Sequence, residues 1–127
     1  MRRGMKRKTS RQLDREIAKQ LAREHLRARV RKLLDKWQPI LVVKVGEVHV
    51  RKMKSYWASI NEHDARMWVS EDLAKQPHKY LECVVVHELV HMLTNGHDEK
   101  FYALMDQHLP GWRKIHQTFA GPMSQHS

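Results

Sequence analysis

Apolar side chains recur at three- and four-residue spacing through the first third of the chain, which is the period of an amphipathic α-helix. Thr9-Ser10-Arg11-Gln12 fits a capping box and predicts where this helix begins. Pro39 predicts that the helix ends just before it, with the basic side chains facing outward. The apolar positions are Leu13, Ile17, Leu21, Leu26, Val30, Leu33 and Trp37.

The apolar period then changes to two, as in β-strands. A first strand is predicted in the β-branched segment ILVVKVGEVHV, in which Gly46 indicates a turn or a bulge. Two more short strands are predicted at 55–60 and 66–70, joined by the polar residues 61–65. We therefore expect a small antiparallel sheet in the middle of the chain.

A second long helix is predicted after the sheet. Pro77 suits its first turn, and its apolar pattern runs to about Thr94. Residues 83–86, Cys-Val-Val-Val, would by themselves prefer a strand. The helix is favoured because His87 and His91 project from one face of a helix, whereas on a strand they would stand about 13 Å apart. Apolar residues on nearly every side of this helix indicate that it is buried.

Shorter helical segments complete the predicted α+β fold. Ser70-Glu71-Asp72 can start one helical turn before the buried helix. Asn95-Gly96 can adopt positive φ at the end of that helix. A further helix is predicted over 98–108, and Pro110 begins a short helix and tail.

Length and composition limit the class of protein. At 127 residues the chain is expected to form one domain, 1–127, and its hydrophobic fraction of 41% supports a packed core. No apolar run approaches the roughly 20 residues that cross a bilayer, and the N-terminus lacks the apolar segment of a secretory signal. Cys83 is the single cysteine, which excludes an internal disulfide framework. Together these features predict a cytoplasmic protein without a membrane partner.

The net charge is concentrated at the N-terminus. Residues 1–36 hold 14 of the 24 Lys and Arg but 4 of the 14 acidic residues, so they account for the whole net charge of +10. We expect a basic helical arm at 1–36 and a core at 37–127. Such a block attracts phosphates by counterion release, which makes nucleic acid a candidate partner. A solvated helix face is the favoured alternative, because no aromatic platform or recognised DNA-binding motif accompanies the charge.

The motif HELVHMLTNGH begins at His87. HExxH on a helix presents His87 and His91 to Zn²⁺ and places Glu88 beside the metal-bound water as general base. His97 lies six residues beyond His91 and suits a third ligand, which leaves one coordination position open, as in catalytic zinc sites. This offset matches the metzincin pattern HExxHxxGxxH, but Thr94 stands at its glycine position, so a different turn is expected.

The remaining polar residues of interest divide into candidates for the site and residues with a structural role. Cys83 lies one turn before His87 and could approach the metal, but a small buried hydrophobe is the favoured interpretation. The segment RMWVS is the candidate edge strand for an extended peptide. Candidate donors to a substrate carbonyl, each with a structural role as the favoured alternative, are Tyr80, Tyr102, Lys54 and Arg51. The histidines predicted to be surface or packing residues are His25, His49, His63, His78, His108, His116 and His126.

Beyond this motif, the chain resembles the YgjP-like metallopeptidase domain family, a zincin-type family related in pattern to the SprT and WLM metalloproteases. The resemblance covers about 48–113 and is carried by VRKMKSYWASI, RMWVSEDLAKQP and YLECVVVHELVHMLTNGHDEKFYALMDQHLPGWR. It implies a zincin-like fold, a small sheet packed on a buried HExxH helix with flanking helices, and Glu88 as the catalytic carboxylate. The zinc ligands that it implies are His87, His91 and His97.

The chain departs from the family pattern at two places. Residues 57–60 read WASI where Trp-Gly-Ser-Cys is usual, and Ser70 stands where Asn is common. These departures bear on substrate preference and not on the metal site. Longer N-terminal sequences occur in the family, so part of a substrate cleft is expected outside this chain.

A zinc metallopeptidase acting on a protein or peptide is the favoured function. One alternative is a metal-dependent hydrolase of a non-peptide substrate such as a nucleotide phosphoanhydride, because zinc hydroxide can also attack phosphorus. Another is a nucleic-acid-binding module with structural zinc, against which stands the lack of a fourth Cys or His at close spacing. The arm and the zinc site could also act together, the arm docking on DNA or RNA while the site cuts a bound protein. The pattern does not indicate an oligomeric state.

Overall fold

The computed structural model describes residues 7–119; residues 1–6 and 120–127, with His126 among them, lie outside the described part. Within it, four α-helices and a short 3₁₀ helix surround a three-stranded sheet, in agreement with the predicted α+β class. In chain order the elements are α1 (Ser10–Leu41), β1 (Glu47–Arg51), β2 (Ala58–Asn61), β3 (Arg66–Ser70), the 3₁₀ helix (Glu71–Lys75), α2 (His78–His91), α3 (Glu99–His108) and α4 (Trp112–Phe119). None of the helices among these residues combines the length and hydrophobicity needed to cross a bilayer.

The capping box predicted at the start of α1 is confirmed. The Thr9 hydroxyl accepts the backbone N–H of Gln12 at 3.1 Å, and the Gln12 side chain accepts the backbone N–H of Thr9 at 2.7 Å. The predicted end is wrong, because α1 continues through Pro39 to Leu41. Proline in the last turn removes a single helical hydrogen bond, and Val42 ends the helix in the left-handed conformation at a φ of 57°.

Only the second half of α1 packs into the core. Its buried residues are Leu26, Val30, Leu33, Leu34, Trp37 and Leu41. The apolar residues of the first half, Leu13, Ile17 and Leu21, are 46%, 58% and 64% exposed. The single apolar face predicted from the sequence is therefore wrong. The gap of five residues between Leu21 and Leu26 rotates the stripe away from the core face, since only spacings of three or four keep one face.

The sheet is mixed, and its strand order is β1-β3-β2. β2 pairs antiparallel with β3 as predicted, but β1 pairs parallel with β3. The antiparallel prediction is therefore wrong for one of the two pairs. β1 also begins after Gly46, because the residues before it are tied to α1, where Gln38 accepts the backbone N–H of Val45. RMWVS, which is β3, lies in the centre of the sheet and not at its edge.

α2 forms the buried centre of the domain, as predicted. It contacts α1 and β2 as well as α3 and α4, and ten of its fourteen residues are buried. This burial on several sides overrides the strand propensity of residues 83–86. Lys36 and Trp37 of α1 both donate to the Glu82 carboxylate at 2.8 Å and tie the two long helices together. Pro77 is the residue that precedes the first turn of α2, rather than part of that turn.

Candidate metal centre

The last two turns of α2 carry the first part of the site. His87 and His91 are separated by one helical turn, with Glu88 next to the first. His87 is 7% exposed and Glu88 is 3% exposed, while His91 is half-buried. The buried apolar residues around them hold this end of the helix, so the direction of the side chains is set by the core.

The bend after α2 returns a third histidine to the same place. The Thr94 hydroxyl donates to a backbone carbonyl of α2 at 3.2 Å. Gly96 adopts a φ of 68°, and a Cβ there would meet no atom within 4 Å, so the backbone conformation and not the space selects glycine. Asp98 caps α3 by accepting a backbone N–H. His97 stands between these two fixed points, and the left-handed residue lies at Gly96 and not at Thr94, as the departure from the metzincin spacing predicted.

The three imidazoles converge through their Nε2 atoms. The Nε2 atom of His91 lies 3.0 Å from those of His87 and His97, and His87 and His97 are 3.2 Å apart at the same atoms. Among residues 7–119, these three side chains form the group of His, Cys, Asp and Glu that could hold a metal ion. A proton on one nitrogen can bridge only one of these pairs, whereas a cation satisfies all three lone pairs at once.

The donor set and its spacing fit a zinc-type ion. Neutral imidazoles are common zinc ligands, and three nitrogens at 2.0–2.1 Å from a tetrahedral zinc lie about 3.3–3.4 Å apart. The observed separations of 3.0–3.2 Å are close to that value. The fit extends to other borderline divalent ions that accept imidazole, so the geometry suits a divalent metal ion without selecting zinc.

Phe101 packs behind all three imidazoles. Its ring centroid lies 4.9 Å from that of His87, 5.0 Å from that of His91 and 4.6 Å from that of His97. The ring is 1% exposed and stands in the first turn of α3, just after the cap by Asp98. It therefore restricts the rotation of each imidazole and links the position of α3 to that of α2.

Two cavities open on either side of the histidines. One is lined by Glu88 and His91 together with Ile60, Glu62, Thr94 and Gly96, and it reaches β2. The other is lined by His87 and His97 together with Phe101, Tyr102, Trp112, Arg113 and His116. A molecule that crosses the three imidazoles would therefore meet a strand edge on one side and an aromatic wall on the other.

His116, which the sequence predicted to be a surface or packing residue, also lies at this site. Its ring is stacked on His87, with the ring centroids 6.2 Å apart and the planes 9° apart. It is half-buried and stands on α4, nineteen residues after His97. The spacing that singled out His87, His91 and His97 cannot detect such a residue, because its position depends on how α4 packs on α2. The signal available in the sequence was its four-residue spacing from Trp112, which places both side chains on one face of α4.

The other candidate residues lie in different parts of the fold, and of the four candidate donors Tyr102 lines a cavity beside the histidines. Tyr80 is completely buried, and burial raises the pKa of its hydroxyl, which excludes it from an open cleft. Arg51 and Lys54 line a separate cavity, so the structure does not bring them to the histidines. Tyr102 does line the aromatic cavity. Cys83 is buried, its thiol faces the Trp112 carbonyl at 3.9 Å, and burial raises its pKa to about 12, which supports the interpretation as a small buried hydrophobe.

An α+β fold organised around a buried helix with paired histidines and an adjacent carboxylate is the architecture of the metallopeptidase class. The chain belongs to the YgjP-like metallopeptidase domain family, whose match extends over residues 2–121. It is therefore a metal-dependent hydrolase of that family. No curated protein matches the chain.

Two solved archaeal structures share this fold. One is the metallopeptidase zymogen abylysin of Pyrococcus abyssi, with a TM-score of 0.63 and 19% identity over 74% of this chain and 98% of that one. The other is the metallopeptidase zymogen jannalysin of Methanocaldococcus jannaschii, with a TM-score of 0.62 and 14% identity over 72% of this chain and 93% of that one. At these identities the similarity describes the fold.

Proposed function

We propose that this protein is a zinc peptidase in which His87, His91 and His97 hold the metal and Glu88 is the general base. The convergence of three Nε2 atoms within 3.0–3.2 Å of one another is the observation that supports it. Zinc bound there would polarise the substrate carbonyl and lower the pKa of water to about 7.

Glu88 has the position that this role requires. It follows His87 directly on α2 and lines the cavity that also contains His91, so its carboxylate lies beside the space where substrate and water would meet. A carboxylate there can take the proton of the attacking water and pass it to the leaving nitrogen. Its burial at 3% exposure restricts the side chain and keeps bulk water from the proton.

The strand that would bind an extended peptide is β2. RMWVS was the candidate from the sequence, but β3 has partners on both sides and offers no edge. β2 pairs with β3 on one side, packs near α2, and contributes Ile60 to the cavity that holds Glu88. A peptide paired with its other edge would run past the histidines towards the aromatic cavity, where Tyr102 and Trp112 could receive a side chain.

The first experiment compares wild type with Glu88→Gln, and uses Glu24→Gln as a matched control on the exposed face of α1. Metal content is measured together with hydrolysis of a peptide library and of nucleoside triphosphates. We expect both variants to bind one zinc, and turnover of peptides to fall by at least about 100-fold in Glu88→Gln alone. Hydrolysis of nucleotides without peptides would favour the phosphoanhydride alternative, and unchanged turnover in Glu88→Gln would remove this residue from the mechanism.

We also propose that the protein binds a nucleic acid, a partner that the sequence suggested through the basic arm. No metal ligand takes part in it. The residues that would bind it lie near the start of α2, whereas the histidines lie at its end. They include residues outside 1–36.

A further inference from the structure

The first half of α1 extends beyond the packed domain. Every residue over 10–22 is exposed, so about 20 Å of helix extends beyond the packed part at a rise of about 1.5 Å per residue. Thr9 caps its start. Tertiary contacts begin at Arg23, which donates to Glu71 at 2.9 Å.

One face of this exposed half is basic. It is the same helix face that, further along α1, packs into the core. Arg11, Arg15 and Lys19 follow one another at four-residue spacing, and within residues 7–119 none of them pairs with a carboxylate. Arg15 and Lys19 precede the buried Leu26 by eleven and seven residues, spacings that place all three on one face of a helix. The exposed apolar stripe, Leu13, Ile17 and Leu21, lies on the other side.

A second group of cations lies near Arg23, where the exposed half of α1 meets the packed domain. Arg31 near the middle of α1 donates to the Gly46 carbonyl, just before β1. At the other end of β1, Arg51 is in register with Ser70, which adjoins the Glu71 that binds Arg23. β1 therefore runs antiparallel to α1, and the loop 52–56 after it emerges beside the point where α1 leaves the domain.

This loop, RKMKSY when Arg51 is included, holds three cations in six residues. Lys52 and Lys54 are exposed, and no ion pair joins either of them to a carboxylate of the described residues. Both line a cavity together with Tyr56, which is 38% exposed. The Arg51 guanidinium lies over the Trp68 ring at 4.2 Å, which holds the start of the loop to the sheet.

We propose that Arg11, Arg15 and Lys19 of α1 form, with Lys52 and Lys54 of the loop, one surface that binds the backbone of a nucleic acid. We call it the basic end. The balance of charges in residues 37–127 conceals this loop, because its cations are offset by acids elsewhere in the fold. The fold places the loop next to the arm that carries the net positive charge.

A nucleic acid fits the basic end better than a lipid surface does. Cations at four-residue spacing form a line with steps of about 6 Å, which suits a linear polyanion. A membrane-bound helix instead turns its apolar stripe into the lipid. Here Leu13, Ile17 and Leu21 point away from the side on which the basic loop lies, so a bilayer that receives them would leave Lys52 and Lys54 without a role.

The basic end is remote from the metal centre. Arg29 lies 3.4 Å from His78 at the start of α2, and Lys36 binds Glu82 one turn later, so α1 and α2 run in parallel. The exposed half of α1 therefore projects from the start of α2, whereas the histidines lie at its end. Binding at the basic end should leave the metal centre open, and it does not depend on the proposed peptidase chemistry.

The test measures binding of the full-length protein to a short fluorescein-labelled DNA duplex by anisotropy over a series of KCl concentrations. Each lost phosphate contact removes about 0.9 from the slope of log affinity against log salt. We expect Lys52→Gln/Lys54→Gln to reduce that slope by about 1.8 and to weaken binding by up to about 60-fold at 0.1 M salt. Arg15→Gln/Lys19→Gln should have an effect of the same size.

The matched control is Lys44→Gln/Lys100→Gln, which removes the same charge from two exposed cations outside the basic end. It should retain the wild-type slope, and Glu88→Gln should bind as wild type does. An equal loss in this control would overturn the proposal, because binding would then follow net charge alone. Absence of salt-dependent binding to the duplex, or binding only to vesicles that contain phosphatidylserine, would also overturn it.

Discussion

At one end of the molecule three imidazoles are held by a buried helix, a capped bend and the ring of Phe101, whereas at the other end the first turns of α1 extend beyond the domain. The metal centre is defined by contacts from α2, α3 and the bend between them. The exposed half of α1 is stabilised by local helical hydrogen bonds and by the capping box at Thr9. Single substitutions should therefore change metal binding, hydrolysis or the free energy of unfolding strongly at the first end. At the second end they should change the free energy of unfolding only slightly.

Removing one of the proposed zinc ligands should have the largest effect on zinc binding and hydrolysis. We expect His97→Ala to weaken zinc binding and reduce hydrolysis by more than about 100-fold, since loss of a ligand exceeds the 10–100-fold typical of groups that only orient ligands. Zinc affinity by competition with a chelator and turnover of the best peptide are the measurements. His63→Ala, on the exposed loop after β2, is the control. Wild-type zinc affinity in His97→Ala would show that the third histidine is not a ligand.

The Phe101 ring should matter for both stability and metal binding. Phe101→Ala removes a ring that is 1% exposed and touches all three imidazoles. We expect a loss of about 3–5 kcal/mol in the free energy of unfolding and about 10–100-fold in zinc affinity. Phe101→Leu should recover most of the stability, and less of the affinity if the flat ring orients the ligands. Wild-type zinc affinity in a folded Phe101→Leu would limit the ring to packing.

The link between α1 and α2 should depend on pH. Burial would raise the pKa of Glu82, but hydrogen bonds from Lys36 and Trp37 lower it below its ordinary value of 4.5. Its stabilisation is therefore complete above the ordinary value and is lost as the pH falls through the lowered one. We expect Glu82→Gln to cost about 1.5 kcal/mol at neutral pH and much less in acid, measured by urea unfolding. A cost that does not change with pH would contradict this, and Glu99→Gln is the control.

The part of the fold that could be predicted is the part that depends on local spacing. The His87 and His91 pair decided for helix over strand because four-residue spacing is meaningful only on a helix. The capping box and the glycine of the bend are equally local. The resemblance to the YgjP-like family then supplied the class of protein, which the family match confirmed.

The rest depends on contacts between segments distant in the sequence. Short strands of similar composition do not specify which one lies in the middle, so β3 was assigned to an edge that β2 occupies. His116 joins the aromatic cavity only because α4 folds back on α2. Helical periodicity likewise predicts an apolar face without stating whether anything covers it, which is why the stripe around Ile17 was assigned to the same face as Leu26.

The smallest effect is expected within that stripe, and it tests the comparison most directly. Ile17 is 58% exposed, whereas Leu26 is completely buried on the same helix. We expect Leu26→Ala to cost about 2–5 kcal/mol in urea unfolding, and Ile17→Ala to change stability by less than about 0.5 kcal/mol, since alanine also has the higher helix propensity. A loss above about 1 kcal/mol for Ile17→Ala would mean that the exposed half is covered in solution. If that loss grew with protein concentration, the cover would be a second copy of the chain, and the contrast between the two ends would have to be withdrawn.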